Sequence, residues 1–200
     1  LLKYYIAGEW VDPISTETMP VMNPASVTQL GTVALGNEAD IDRAVAAASS
    51  AFPTYSQTSK SDRLALLGRI REVSERRFEE LAQAMRMEMG APISMARAAQ
   101  ADAALGHLDG FVQALEKLEE RENFNNGEIL LREPIGVCGL ITPWNWPINQ
   151  VVLKVLPVIA AGCTCVLKPS EHTPISAMIY AEILDEAGVP PGVFNLVNGV

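Results

Sequence analysis

From Gly136 to Pro174 the chain reads GVCGLITPWNWPINQVVLKVLPVIAAGCTCVLKPSEHTP, and the alternation of apolar runs and loops in this stretch decides the fold class. Val137 to Thr142 is a short apolar run closed by Pro143. Pro147 opens an apolar pattern long enough for a helix, and Cys163 to Leu167 is a second short run placed after Gly162. A helix connecting two strands favours parallel pairing with a right-handed crossover. Sheets of this kind hold ligands at the carboxyl ends of their strands. Here those ends carry Thr142-Pro143-Trp144-Asn145-Trp146 and Lys168-Pro169-Ser170-Glu171.

Each loop has a plain reading and a chemical one. Asn145 suits the N-cap of the helix that begins near Pro147, because its short amide reaches free backbone N–H groups. The same amide can instead donate to a developing oxyanion, where a fixed dipole is worth roughly a few kcal/mol of barrier. Lys168 and Glu171 are compatible with a surface ion pair worth about 0–1 kcal/mol. They are equally compatible with holding vicinal hydroxyls, the ammonium donating and the carboxylate accepting, as ribose recognition requires.

Taken together, ITPWNWP, a helix ending in AAGC, and VLKPSEHTP resemble the NAD(P)-dependent aldehyde dehydrogenase superfamily. The resemblance runs along the whole chain: Tyr5-Ile6-Ala7-Gly8-Glu9-Trp10, Asn23-Pro24-Ala25, the Ala-rich segment near Ala44, Met89-Gly90-Ala91-Pro92, Glu133-Pro134-Ile135-Gly136-Val137, and Ala187-Gly188-Val189-Pro190-Pro191-Gly192-Val193-Phe194-Asn195. It implies an α/β fold with a Rossmann-like parallel sheet, preceded by a helical N-terminal region and carrying a β-hairpin oligomerisation arm. The implied parts are a mainly helical section over 1–115, the arm over 116–134, and the first βαβαβ part of the cofactor domain over 135–200.

The function implied by the resemblance is oxidation of an aldehyde to a carboxylic acid with NAD(P)+. A thiolate attacks the aldehyde, the alkoxide is held by the Asn145 amide and a backbone N–H, hydride passes to nicotinamide, and water releases the acid. The family's nucleophilic Cys and general-base Glu lie downstream of Val200, so the chain is expected to be an N-terminal part of such an enzyme. Ile141, Thr142, Pro143, Trp144 and Asn145 are carried over as the wall beside the nicotinamide half, and Lys168, Ser170 and Glu171 as the surroundings of the adenosine ribose. The missing G-x-G-x-x-G after the first strand argues against an ordinary dinucleotide fingerprint, but not against this family, whose pyrophosphate contacts come from a later helix. NAD is the expected cofactor and NADP the alternative, since Glu171 would repel a 2′-phosphate while Lys168 partly offsets it. Trp146, Gln150 and Leu153 share one helix face. Alone that face reads as packing on the sheet, whereas the resemblance makes it aldehyde-tunnel lining. Two other readings stay open, a non-catalytic relative that keeps the cofactor fold and a CoA-acylating semialdehyde dehydrogenase.

Composition is consistent with a soluble globular interior. Of 200 residues 48% are hydrophobic and 20% charged, and 15 Lys plus Arg against 24 Asp plus Glu give a net charge of -9. That balance disfavours nucleic acid and anionic membrane surfaces as partners. The apolar stretch around Val155 to Leu167 is broken by Pro157 and Gly162 and is short of the roughly 20 residues a bilayer span needs. Cys138, Cys163 and Cys165 do not form a secreted disulfide framework and read as buried structural thiols, so a cytoplasmic location is expected.

The middle of the chain carries helical spacing. Glu38 to Ile41 starts a helix with a small-residue face at Ala44, Ala47, Ala48 and Ala51. Ser59 or Ser61 caps the next, with Leu64, Leu67 and Ile70 on one side, and Phe78, Leu81 and Met85 continue until Gly90 and Pro92. Ser94 to Leu118 predicts another helix. His107 on it has no ligand-spaced partner, and no metal site is expected. Asn125-Asn126-Gly127 marks a turn before an edge strand in Glu128 to Glu133. The alternatives for that hairpin are a monomer surface feature and, by resemblance, an arm pairing subunits of a homodimer or homotetramer.

Overall fold

The computed structural model describes residues 1–200. Two hairpins lead: β1 (Tyr4–Ile6) with β2 (Glu9–Val11), then β3 (Thr18–Asn23) with β4 (Thr28–Ala34). Helices α1 (Glu38–Tyr55), α2 (Lys60–Arg76) and α3 (Phe78–Glu88) follow, and α4 (Ile93–Met95) continues through a π turn at Ala96–Ala101 into α5 (Asp102–Lys117). A third hairpin pairs β5 (Arg121–Asn123) with β6 (Ile129–Leu131). The chain ends as β7 (Val137–Ile141), α6 (Pro147–Ala160), β8 (Thr164–Lys168), α7 (Pro174–Glu186) and β9 (Phe194–Leu196).

The last three strands pair in parallel, with Val137 opposite Thr164, Ile141 opposite Lys168 and Cys165 opposite Phe194. The N-terminal hairpin extends this sheet through an antiparallel pair, Tyr5 opposite Leu196, to give the order β2-β1-β9-β8-β7. One edge of β7 is therefore open. The expected α/β class with a parallel sheet is what the fold has. The four strands before Glu38 were outside that expectation, since 1–115 reads as mainly helical.

Alternation along β8 sorts its side chains onto two covered faces, as a parallel sheet requires. Cys165 and Leu167 enter the larger core, where α6 buries Ile148, Val151, Val152, Val155, Leu156 and Ile159. Each such aliphatic contributes roughly 1.5–3 kcal/mol relative to an exposed position. Val166 points the other way, into a smaller core with Ala44 and Ala48 of α1 and with Tyr4, Ile6 and Val197. The small-residue face of α1 permits close approach. A Cβ on Gly192, whose φ is +83°, would stand 2.8 Å from the Ala47 carbonyl oxygen and 3.0 Å from Ala51 Cβ.

Capping follows the sequence signals with adjustments. Asn37 caps α1 in a box with Asp40, which also accepts from the Ile14 and Ser15 amides at 2.7 and 3.1 Å and so pins the preceding loop. Ser59, not Ser61, caps α2, again as a box with Asp62. The helix expected over Ser94–Leu118 is interrupted by the π turn, and the edge strand is Ile129–Leu131, with the Arg132 amide still donating to the Glu120 carbonyl at 2.9 Å and its guanidinium to the Glu119 carbonyl and the Glu122 carboxylate. No helix is long and apolar enough to cross a membrane.

Candidate active site

The loops after β7 and β8 leave neighbouring strands at matched register, Ile141 opposite Lys168, so both open at one end of the sheet. The Thr142 amide donates to the Lys168 carbonyl at 3.2 Å and extends the pairing one residue further. Thr142 is buried, whereas Ile141, Pro143, Trp144 and Asn145 are exposed. The N-cap position of α6 belongs to Trp146, no side chain caps that helix, and Pro147 occupies its first turn. The capping reading of Asn145 is therefore not realised, and its amide is left free at the carboxyl end of β7. Proline at this position suits an uncapped start, since it brings no N–H to satisfy.

Across from it, Lys168 Nζ lies 3.7 Å from Glu171 Oε2 and donates to the Gly199 carbonyl at 3.0 Å. Both side chains are 24% exposed, open enough to meet a ligand and sheltered enough to hold position. Ser170 is buried; its hydroxyl accepts from the His172 amide at 3.3 Å and its carbonyl from Thr173, which shapes the loop. Along α6, Trp146 and Gln150 are half-buried and Leu153 is exposed, while the residues the helix packs inward lie on its other side. His107 Nε2 sits 2.7 Å from Asn149 Oδ1 and joins α5 to α6. The three cysteines are free thiols; burial pushes the Cys165 and Cys138 thiols up, away from a nucleophilic thiolate. Cys163 stands just ahead of β8.

One residue beside this end of the sheet has no signature in the sequence. Glu88, at the end of α3, is buried, and its carboxylate accepts from the Ile175 and Ser176 amides at 2.5 and 3.0 Å, which caps α7 from another element. With Trp144, His172 and Thr173 it lines a cavity of about 410 Å³. Burial, opposed by the bonds to Ser176 and Ile175, raises its carboxyl to about 7. A raised folded-state value means that the folded protein holds this proton longer than the unfolded chain does. The resulting stability is complete below about pH 4.5 and is lost as pH rises through about 7. Across that window the loss is on the order of 3 kcal/mol. Glu88→Gln should flatten this slope in thermal melts; an unchanged slope would show that Glu88 does not set it.

The profile of the aldehyde dehydrogenase family matches residues 10–200. A 3-succinoylsemialdehyde-pyridine dehydrogenase from a Pseudomonas species is 49% identical over 198 residues, covering 98% of this chain and 41% of that protein. An aldehyde dehydrogenase C variant of Pseudomonas syringae, solved with NAD+ and octanal, superposes with a TM-score of 0.97 at 51% identity, over 99% of this chain and 41% of the other. An E. coli NADP-dependent enzyme superposes with a TM-score of 0.92 at 33% identity, over 100% and 42%. The chain thus spans about two-fifths of the length of these relatives, and it belongs to the aldehyde dehydrogenase family.

Proposed function

We propose that this chain is the N-terminal part of an NAD(P)-dependent aldehyde dehydrogenase that oxidises an aldehyde to a carboxylic acid. The observation that carries this reading is the pairing at one sheet end of a free, exposed Asn145 amide with the Lys168–Glu171 couple. When bound, the nicotinamide cofactor supplies the hydride acceptor. The residues present fit it: a carboxylate and an ammonium are held within one loop, ready to accept from and donate to the two ribose hydroxyls. Ile141, Thr142, Pro143 and Trp144 form the wall next to Asn145, and Ser170 holds the Lys168–Glu171 loop. Asn145 donates to the oxygen that gains charge when a thiolate from the remainder of the protein attacks the carbonyl. Trp146, Gln150 and Leu153 line the aldehyde's approach, with Gln150 favouring a substrate that carries a polar group.

The same reading divides the chain at 1–115, 116–134 and 135–200 and puts the protein in the cytoplasm. The hairpin β5–β6 exposes Phe124, Ile129, Leu130 and Leu131, a larger apolar surface than a free hairpin needs. We assign it to pairing between subunits of a homodimer or homotetramer. A panel of aldehydes presented to the full-length protein, followed by NADH absorbance, tests the activity; no turnover with any of them would overturn it.

Cofactor choice follows from Glu171. Its carboxylate accepts from a ribose 2′-OH and repels a 2′-phosphate, with Lys168 offsetting part of the repulsion. Glu171→Gln should raise KM for NAD and lower it for NADP, shifting the ratio of kcat/KM values by about tenfold, the scale of one lost charge contact of roughly 1.4 kcal/mol. An unchanged ratio would remove Glu171 from the ribose site.

A further inference from the structure

We infer that His172 is a specificity-determining residue for the cofactor's 2′ position, loosening the preference for NAD over NADP as pH falls. The inference rests on the ribose reading of Lys168 and Glu171. Its geometric basis is that the two oxygens of one carboxylate face two different bases: Glu171 Oε2 lies 3.7 Å from Lys168 Nζ, and Glu171 Oε1 lies 3.3 Å from His172 Nε2. The imidazole is 64% exposed, so solvent and a ligand at the loop both have access to it.

The charge of this three-residue cluster is set by His172. With a neutral imidazole, Lys168 and Glu171 cancel, and a ribose 2′-OH finds an available carboxylate oxygen. With an imidazolium, Glu171 Oε1 is engaged by a second cation and the cluster carries a net positive charge. A 2′-phosphate, with close to two negative charges near neutrality, is then attracted by a cluster that was neutral before. Histidine is the side chain whose charge ordinarily changes between pH 5 and 8.

The titratable group facing His172 from another element is Glu88 of α3, across the cavity they share; Pro20, Met22, Pro24, Met89 and Trp144 supply the apolar remainder. Glu88 is tied to the Ile175 and Ser176 amides, and burial raises its carboxyl to about 7. A substitution at His172 leaves it in place, so its contribution cancels between proteins, as does that of the 2′-phosphate's own second ionisation.

The test measures dissociation constants of NAD+ and NADP+ for the full-length protein by titration calorimetry between about pH 5.5 and 8.5, a readout that needs no aldehyde. Divided at each pH by the same quantity for His172→Gln, the wild type's NADP+ to NAD+ affinity ratio should rise roughly three- to fivefold toward the acid end, the scale of one exposed charge contact. His172→Arg, divided in the same way, should hold the higher value at every pH. Parallel pH curves for wild type and His172→Gln would overturn the role of His172. Failure to bind either dinucleotide would overturn it as well, and with it the ribose reading beneath, whereas normal NAD+ binding with parallel curves leaves that reading standing.

Discussion

Replacing Asn145 by alanine in the full-length enzyme is expected to lower kcat by about 100-fold or more while hardly changing NAD affinity. The size follows from the role proposed for the amide: an oxyanion donor is worth most when charge develops, so its loss would appear in the transition state and not in ground-state binding. The structure makes the experiment clean. Asn145 is exposed and takes no part in capping α6, whose N-cap is Trp146, so its removal leaves the helix start as it was. Asn145→Asp should be worse than alanine, because a carboxylate repels the alkoxide it would have to stabilise. Single-turnover absorbance of NADH, compared with NAD titration of the same variants, separates the two effects. Turnover of Asn145→Ala near that of wild type, in a folded protein, would remove the residue from the reaction.

The parallel strand-helix-strand core was legible because its signals are local and redundant. Val137 to Thr142 and Cys163 to Leu167 are apolar on both faces, Pro143 and Pro147 bracket the loop, and α6 has one continuous apolar face. The two loops were legible for a different reason: Asn145, Lys168 and Glu171 are polar groups at strand ends, where plain packing does not ask for them. The hairpins at Tyr4–Val11 and Thr18–Ala34 were less readable. Tyr4 to Ile6 is only three residues long, too short for alternation to register, and its place in the sheet depends on Leu196, far along the chain. Asn195 secures that distant contact, accepting from the Ala7 amide at 3.0 Å and donating to the Cys165 and Gly192 carbonyls at 3.1 and 2.8 Å. Glu88 was invisible for the same reason. Nothing in FEELAQAMRME separates it from Glu79 and Glu80, which face solvent; only the tertiary approach of α7 turns one carboxylate into a buried cap.

Replacing Arg63 by alanine is expected to destabilise the protein by about 2–4 kcal/mol, the combined scale of a cavity in a packed site and a carbonyl left without a donor. Arg63 belongs to α2 and its side chain is 6% exposed. Its Nη1 donates to the Ala160 carbonyl at the end of α6 at 2.9 Å, its Nε to the Ser59 carbonyl at 3.4 Å, and its Nη2 to Glu120 at the root of the β5–β6 hairpin. The fit around it is close: a Cβ on Gly162 would stand 3.3 Å from Nη1 and 3.1 Å from Pro134 Cγ. One guanidinium therefore fastens the end of α6 to the start of the hairpin through Glu120. Glu120 is 45% exposed and rehydrates when its partner leaves, which keeps the loss below that of a fully buried pair. Arg76→Ala is the control, since Arg76 and Glu186 are both half exposed and their pair is worth about 0–1 kcal/mol. Urea unfolding measures the difference, and amide exchange locates it: protection should fall first in the last turn of α6 and in the hairpin. If Arg63→Ala and Arg76→Ala lost the same small amount, Arg63 would be an ordinary ion-pair residue and would not couple the hairpin root to α6.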